Sequence, residues 1–189
     1  GRNQKNIAEF GGIIDDKDYL INFNGSYDMQ VKGKEKLAVD AIIDKLNLSF
    51  LQSILKDEIK VKNAFVKGNL NASGNLKKII LNGDATFLDT ANIVMKYLGC
   101  AFNIPTGEKI FMNKDGFDFK TLSVHDDNGR NAQITGRLLH NSFKDFVVEK
   151  AHFDAPNGYH FLNTTYADNQ DFYGQVYARG DATINGPFE

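Results

Sequence analysis

Four histidines, one cysteine and many carboxylates are the residues of this chain able to do chemistry, and their spacing assembles none of the familiar reactions. His125, His140, His152 and His160 are not set as His-x-His or His-Glu-x-x-His, the arrangements that bring two imidazoles onto one metal ion. Their expected places are strand ends and the surface. Asp126-Asp127-Asn128-Gly129 begins like a calcium loop, but the bidentate glutamate that such a loop needs further on is missing. The Asn-Gly pair reads instead as a hairpin turn, because it tolerates the positive φ angles that match strand twist. There is no Gly-x-Ser-x-Gly elbow, phosphate loop or Gly-x-Gly-x-x-Gly, and neither Ser73 nor Ser142 has a neighbour that marks it as a nucleophile. The single cysteine, Cys100, rules out an internal disulfide and a cysteine-based zinc cluster. No catalytic residue, metal or cofactor is expected, and the chain is read as a non-enzyme.

The totals narrow the partners. Lys+Arg 22 against Asp+Glu 24 gives a formal net charge of -2 over 189 residues, too balanced to suggest nucleic acid. No apolar run approaches the roughly 18 residues of a membrane-spanning helix, and the N-terminus lacks the basic-then-apolar layout of a signal peptide. The chain opens on Gly1-Arg2-Asn3 and reads as one piece, residues 1–189 without an internal boundary, of a longer polypeptide.

What remains is the chemistry of solvation, and the elements that organise it are strands. From Tyr19 to Val31 the odd positions are Tyr, Ile, Phe, Gly, Tyr, Met and Val, while Asn22, Asn24, Ser26, Asp28 and Gln30 alternate with them. That is a strand with one dry and one wet side, and at about 3.3 Å per residue it would run roughly 43 Å. Leu37, Val39, Ala41 and Ile43 repeat the alternation, as do Leu70 and Ala72, Ile79 and Leu81, Ala132 to Leu138, and Val176 to Ile184. Apolar residues at 48, 51, 54 and 55 break it with helical spacing, predicting one short helix near residues 48–56 with Asn47 or Ser49 as its cap. Thr90 to Ile104 is expected to be an extended or bulged strand broken at Gly99. Pro156-Asn157-Gly158 is expected to be a turn, and a final hairpin follows Asp171. The fold class is therefore all-β, built on a long antiparallel sheet. Alternation nominates Ile21, Phe23, Met29, Val31, Leu70, Ala72, Ile79, Leu81, Ile134, Leu138, Val176, Ala178, Ala182 and Ile184 as the lining of its apolar face.

The wording of the second half adds a resemblance. Asp126-Asp127-Asn128-Gly129-Arg130-Asn131-Ala132-Gln133-Ile134-Thr135-Gly136-Arg137-Leu138-Leu139-His140 and Phe143-Lys144-Asp145-Phe146 are similar to the C-terminal part of the TamB family (translocation and assembly module) of the AsmA-like superfamily, in its Bacteroidetes form. Leu162-Asn163-Thr164-Thr165, Phe172-Tyr173-Gly174 and Gly180-Asp181-Ala182-Thr183-Ile184-Asn185-Gly186-Pro187 agree with the same pattern, which covers residues 116–187. The resemblance implies a twisted sheet curled into an open, taco-like trough with an apolar lining. It implies a periplasmic segment of an envelope protein anchored in the inner membrane, conducting phospholipid acyl chains toward the outer membrane, with an Omp85-type barrel as a partner. The alternative is a closed β-sandwich that serves as a docking module for such a barrel.

Overall fold

The computed structural model describes residues 6–29, 35–52, 59–75, 78–141, 144–171 and 173–187. Thirteen strands form one antiparallel sheet that does not close into a barrel. They are β1 (Ile7–Asp15), β2 (Tyr19–Asp28), β3 (Lys36–Asn47), β4 (Ile59–Lys62), β5 (Phe65–Asn75), β6 (Lys78–Phe87), β7 (Ala91–Met95), β8 (Cys100–Ile104), β9 (Lys109–Asn113), β10 (Gly116–His125), β11 (Asn131–Asn141), β12 (Lys144–Thr164) and β13 (Gly174–Pro187). The main path runs β1-β2-β3-β5-β6-β9-β10-β11-β12-β13, and β4, β7 and β8 form a side ribbon joined to it through β10. Chain neighbours mostly pair with one another, which suits a fold whose links are tight turns.

The turns follow from local chemistry. Between β10 and β11, Gly129 adopts φ 74 while Asn128 stays at negative φ, so the turn is not the doubly positive form that Asn-Gly suggests. The buried carboxylate of Asp126 organises it instead: Oδ1 accepts from the backbone N–H of Asn128 (2.8 Å) and of Arg130 (2.9 Å). Two glycines allow a close approach between β5 and β6. A Cβ on Gly68 would stand 2.0 Å from the carbonyl oxygen of Asp84, and one on Gly83 would stand 2.0 Å from that of Asn69. Neither position could carry a side chain unless the paired backbones moved apart.

Several sequence expectations are corrected. Of the stretch predicted as a short helix, Leu48–Leu51 form a 3-10 turn capped by the Asn47 side chain, which accepts from the Ser49 N–H, and Gln52 after it is still helical. Residues 53–56, the rest of the predicted helix, lie outside the described set. The first long strand stops at Asp28 rather than Val31, which also lies outside the described residues. Thr90 to Ile104 is two strands, β7 and β8, folded back on one another through Lys96–Gly99, with Gly99 at φ 61. Pro156-Asn157-Gly158 does not end a strand. It bulges out between Ala155 and Tyr159 while β12 continues to 21 residues, and Gly158 takes φ 84. The expected last hairpin is one strand, β13, laid along β12.

The buried core sits at one end of the sheet. Val66, Phe87, Leu122, Val124, Ala132, Phe153, Ala155 and Tyr159 form it, and the side ribbon covers it, with Val61 of β4, Ile93 of β7 and Phe102 of β8 packed against these residues. The aromatic side chains interlock: Phe102 stacks on Tyr159 at 5.6 Å between centroids, and Phe153 meets Tyr159 edge-on at 5.1 Å. The Tyr159 hydroxyl donates to the Ala101 carbonyl at 3.1 Å, so the one polar atom of the buried ring is satisfied. Burial pushes the Tyr159 phenol above its ordinary range, with smaller contributions from Cys100, Asp126 and Asp127. Among the described residues no helix is long and apolar enough to cross a membrane.

Candidate functional site: an apolar sheet face

In an antiparallel ladder, residues directly opposite one another place their side chains on the same face, so strand register decides what the face contains. One row can be followed across all ten strands of the main path: Gly12, Phe23, Ala41, Leu70, Gly83, Met112, Phe117, Leu138, Val148 and Gly186. Every position is apolar or glycine. The parallel rows behave alike. Ile14, Ile21, Ile43, Gly68, Ala85 and Ile110 form one, and Phe10, Gly25, Val39, Ala72 and Leu81 form another. Period-2 sequence alternation and ladder register thus converge on a continuous apolar surface.

The residues nominated from alternation fall as follows. Ile21, Phe23, Leu70, Ala72, Ile79, Leu81 and Leu138 stand in these rows or in the next one, where Ile79 pairs with Gly74 and through it with Leu37. Ile134 pairs with Phe153 and through it with Ala182, at the margin of the buried core. Ala178 pairs with Tyr159, Ile184 with Ala151 and Val176 with Leu162, so β13 continues the face. Met29 lies one residue past β2, exposed, outside the ladder. Val31 is not among the described residues.

Cover varies along this surface. Beneath the side ribbon the face is dry: Val66 and Phe87 are each 2% exposed. Away from the ribbon Phe23, Leu70, Leu81, Met112 and Leu138 are partly exposed. At the lateral edges Phe10, Ile14, Val176 and Ile184 are open to solvent, Ile184 at 58%. Among the described residues, one part of this apolar face therefore has a lid made by the chain and the rest does not. The ribbon was not legible as a lid in the sequence; the one signal was the Gly99 break with small residues, Cys100 and Ala101, just after it.

The polar groups singled out by type occupy structural posts. Asp126 is 3% exposed and its Oδ2 also accepts from the backbone N–H of His160 at 3.1 Å. That carboxylate is committed to holding the β10–β11 turn against β12 rather than to proton transfer. The His160 ring stacks on Tyr177 at 4.3 Å, with the Arg130 guanidinium over the other side of that tyrosine at 4.4 Å. His152 Nδ1 lies 3.2 Å from Thr183 Oγ1, and His140 packs between Phe117 and Phe146. No group of three His, Cys, Asp or Glu side chains among the described residues stands where it could hold a metal ion. Cys100 is buried, and burial, with help from Asp127 and against a backbone hydrogen bond, raises its thiol to about 11. It is the inert kind of cysteine.

The opposite face is mixed, with polar rows interrupted by Ile13, Ile42, Phe111, Leu139 and Val147. Asn24, Asp40, Asn71 and Asn82 form one of its rows. Another runs through Asp84, Phe111, Asp118, Arg137 and Glu149. Arg137 bridges Glu149 at 2.9 Å and Asp115 at 3.7 Å on this side. Set against known proteins, the chain matches no family model, no curated protein and no solved structure.

Proposed function

We propose that the part of the apolar face away from the side ribbon carries phospholipid acyl chains, as a non-enzymatic, TamB-like segment of a periplasmic envelope protein working between the inner and outer membranes. The observation that carries this reading is the row that stays apolar or glycine across ten consecutive ladder positions, while Phe23, Leu70, Met112 and Leu138 along it remain partly exposed among the described residues. Moving two acyl chains through water exposes about thirty CH₂ groups at ~0.8 kcal/mol each, a barrier on the order of 25 kcal/mol. An apolar surface alongside removes most of it. The headgroup stays in water, so the step needs no catalytic residue, and weak contact favours sliding over capture.

Mass spectrometry of organic extracts from the purified protein tests this. Phospholipid is expected to copurify, and to be lost from Leu138→Asp and Val176→Asp, which place a charge on the apolar face, but kept by Gln133→Glu and Gln175→Asp on the opposite one. Lipid-free protein, or equal lipid in all four variants, overturns the reading.

A second reading is favoured by β13. Among the described residues this strand of 14 residues pairs on one side only and is exposed at nearly every position. Such an edge accepts an added strand from a partner, and an Omp85-type barrel is the partner that the sequence resemblance implies. A lipid-free protein that binds such a barrel, and loses it when Ala178→Pro blocks the edge, supports docking instead.

A further inference from the structure

The opposite face carries a pattern that acyl-chain transport leaves unused. β2 and β5 flank β3 and run in the same direction, and both present Asn-x-Asn-x-Ser outward: Asn22, Asn24 and Ser26 on β2, Asn69, Asn71 and Ser73 on β5. Register aligns the two copies rank by rank. Asn22 and Asn69 stand on either side of Ile42, Asn24 and Asn71 on either side of Asp40, and Ser26 and Ser73 on either side of Ala38. β6 extends the first two ranks with Asp84 and Asn82. A shallow, open depression on this face is lined by Asn22, Asn24, Asp40, Ile42, Asn71 and Asn82 among others.

Two features of this grid suit a ligand. Asn71 Nδ2 donates to Asp40 Oδ1 at 2.9 Å, but the amides of Asn22, Asn24, Asn69 and Asn82 have no hydrogen-bond partner among the described residues. Each offers two donors and an acceptor into the depression. In the middle of these amides sits Ile42, 57% exposed, and the same row ends on Ile13, 68% exposed. Isolated exposed isoleucines are common, but one ringed by open amides in a depression makes an amphipathic seat: aliphatic floor, polar walls.

Charge narrows the ligand further. Asp40 lines the depression, Asp84 stands in its first rank on β6, and no Lys or Arg is among the lining residues, so a phosphate, sulfate or polyanion is repelled, whereas a neutral ligand rich in hydroxyl donors is complementary. Ladder positions repeat about every 4.8 Å across the strands, close to the length that one hexose adds to a linear polysaccharide. Hexoses also combine the required surfaces, hydroxyls at the ring's edge and C–H groups on its faces. We propose that this face binds a neutral linear glycan laid across β2, β3, β5 and β6, one sugar ring resting on Ile42 and the hydroxyls meeting the asparagine amides. It would place transport and glycan attachment on opposite sides of a single sheet.

Titration of cellohexaose and of chitohexaose into isotope-labelled protein, read on the asparagine side-chain amide resonances, tests this. Saturable shifts are expected at Asn24, Asn71 and Asn82. Binding should tighten from disaccharide to tetrasaccharide and level off at the hexasaccharide, once four strands are spanned. Asn24→Ala with Asn71→Ala should weaken it at least about tenfold, as two hydrogen bonds of ~1 kcal/mol each require. Ile42→Lys should weaken it comparably while leaving the urea midpoint of this exposed site unchanged, and Gln175→Ala, on a distant strand, should change nothing. Absence of shifts at about 10 mM of either hexasaccharide, well above millimolar affinity, overturns the proposal. So do shifts that survive both amide and Ile42 substitutions, or equal competition by a sulfated polysaccharide.

Discussion

Phe87 and Tyr159 at one end of the sheet are sealed beneath the β4–β7–β8 ribbon, whereas Phe23, Leu70 and Leu138 on the same face remain partly exposed. The local sequences do not distinguish these regions: both alternate apolar with polar residues and both lie on paired antiparallel strands. The difference lies in what lies over them. Short strands on either side of Phe87 in the chain, β4 before it and β7 and β8 after it, supply a second layer at one end, and among the described residues nothing equivalent is supplied at the other. A sheet face of this kind is a stabilising core where it is covered and an available surface where it is not. Stability and the proposed transport are thus spatially divided along one continuous apolar surface.

Truncation at the two ends should break the comparison most sharply. Tyr159→Ala opens a cavity in the sealed end and strands the Ala101 carbonyl, and is expected to cost about 3–5 kcal/mol by urea denaturation. Leu70→Ala on the part away from the ribbon, where solvent already reaches the side chain, should cost less than about 2 kcal/mol. Equal losses at the two sites would mean that the two parts share one core. A smaller effect sharpens the same contrast through Cys100. Its thiol titrates at about 11 rather than the ordinary 9.0 because burial disfavours the thiolate, so a thiol reagent at pH 8 should label native protein only as fast as the ribbon opens. The sign for stability follows: the raised folded value means that the unfolded chain ionises first, and the contribution, complete below pH 9, declines as pH rises toward about 11. Rapid labelling of native protein at pH 8 would show the lid to be loose.

Much of the fold is written in period-2 alternation, because in a strand the side to which a residue points is a purely local property. Ile21, Phe23, Leu70 and Ala72 could be assigned to one face without coordinates, and the register then joins them. Turn chemistry was less transparent. Pro156-Asn157-Gly158 carries turn residues but bulges within β12, since the pairing with β13 resumes at Tyr159–Ala178 and outweighs the local preference. The Asn grid was invisible as a grid: the residues are polar positions of separate strands, 47 apart between Asn22 and Asn69, until register stands them side by side.

Sequence by itself determined the all-β class and the sidedness of the strands, for each of these depends on residue type and short-range spacing. Only the tertiary structure decided which part of the apolar side is roofed and which polar side chains become neighbours. Those properties depend on where a distant ribbon comes to rest and on how strands far apart in the chain are registered, and neither is encoded within any one segment.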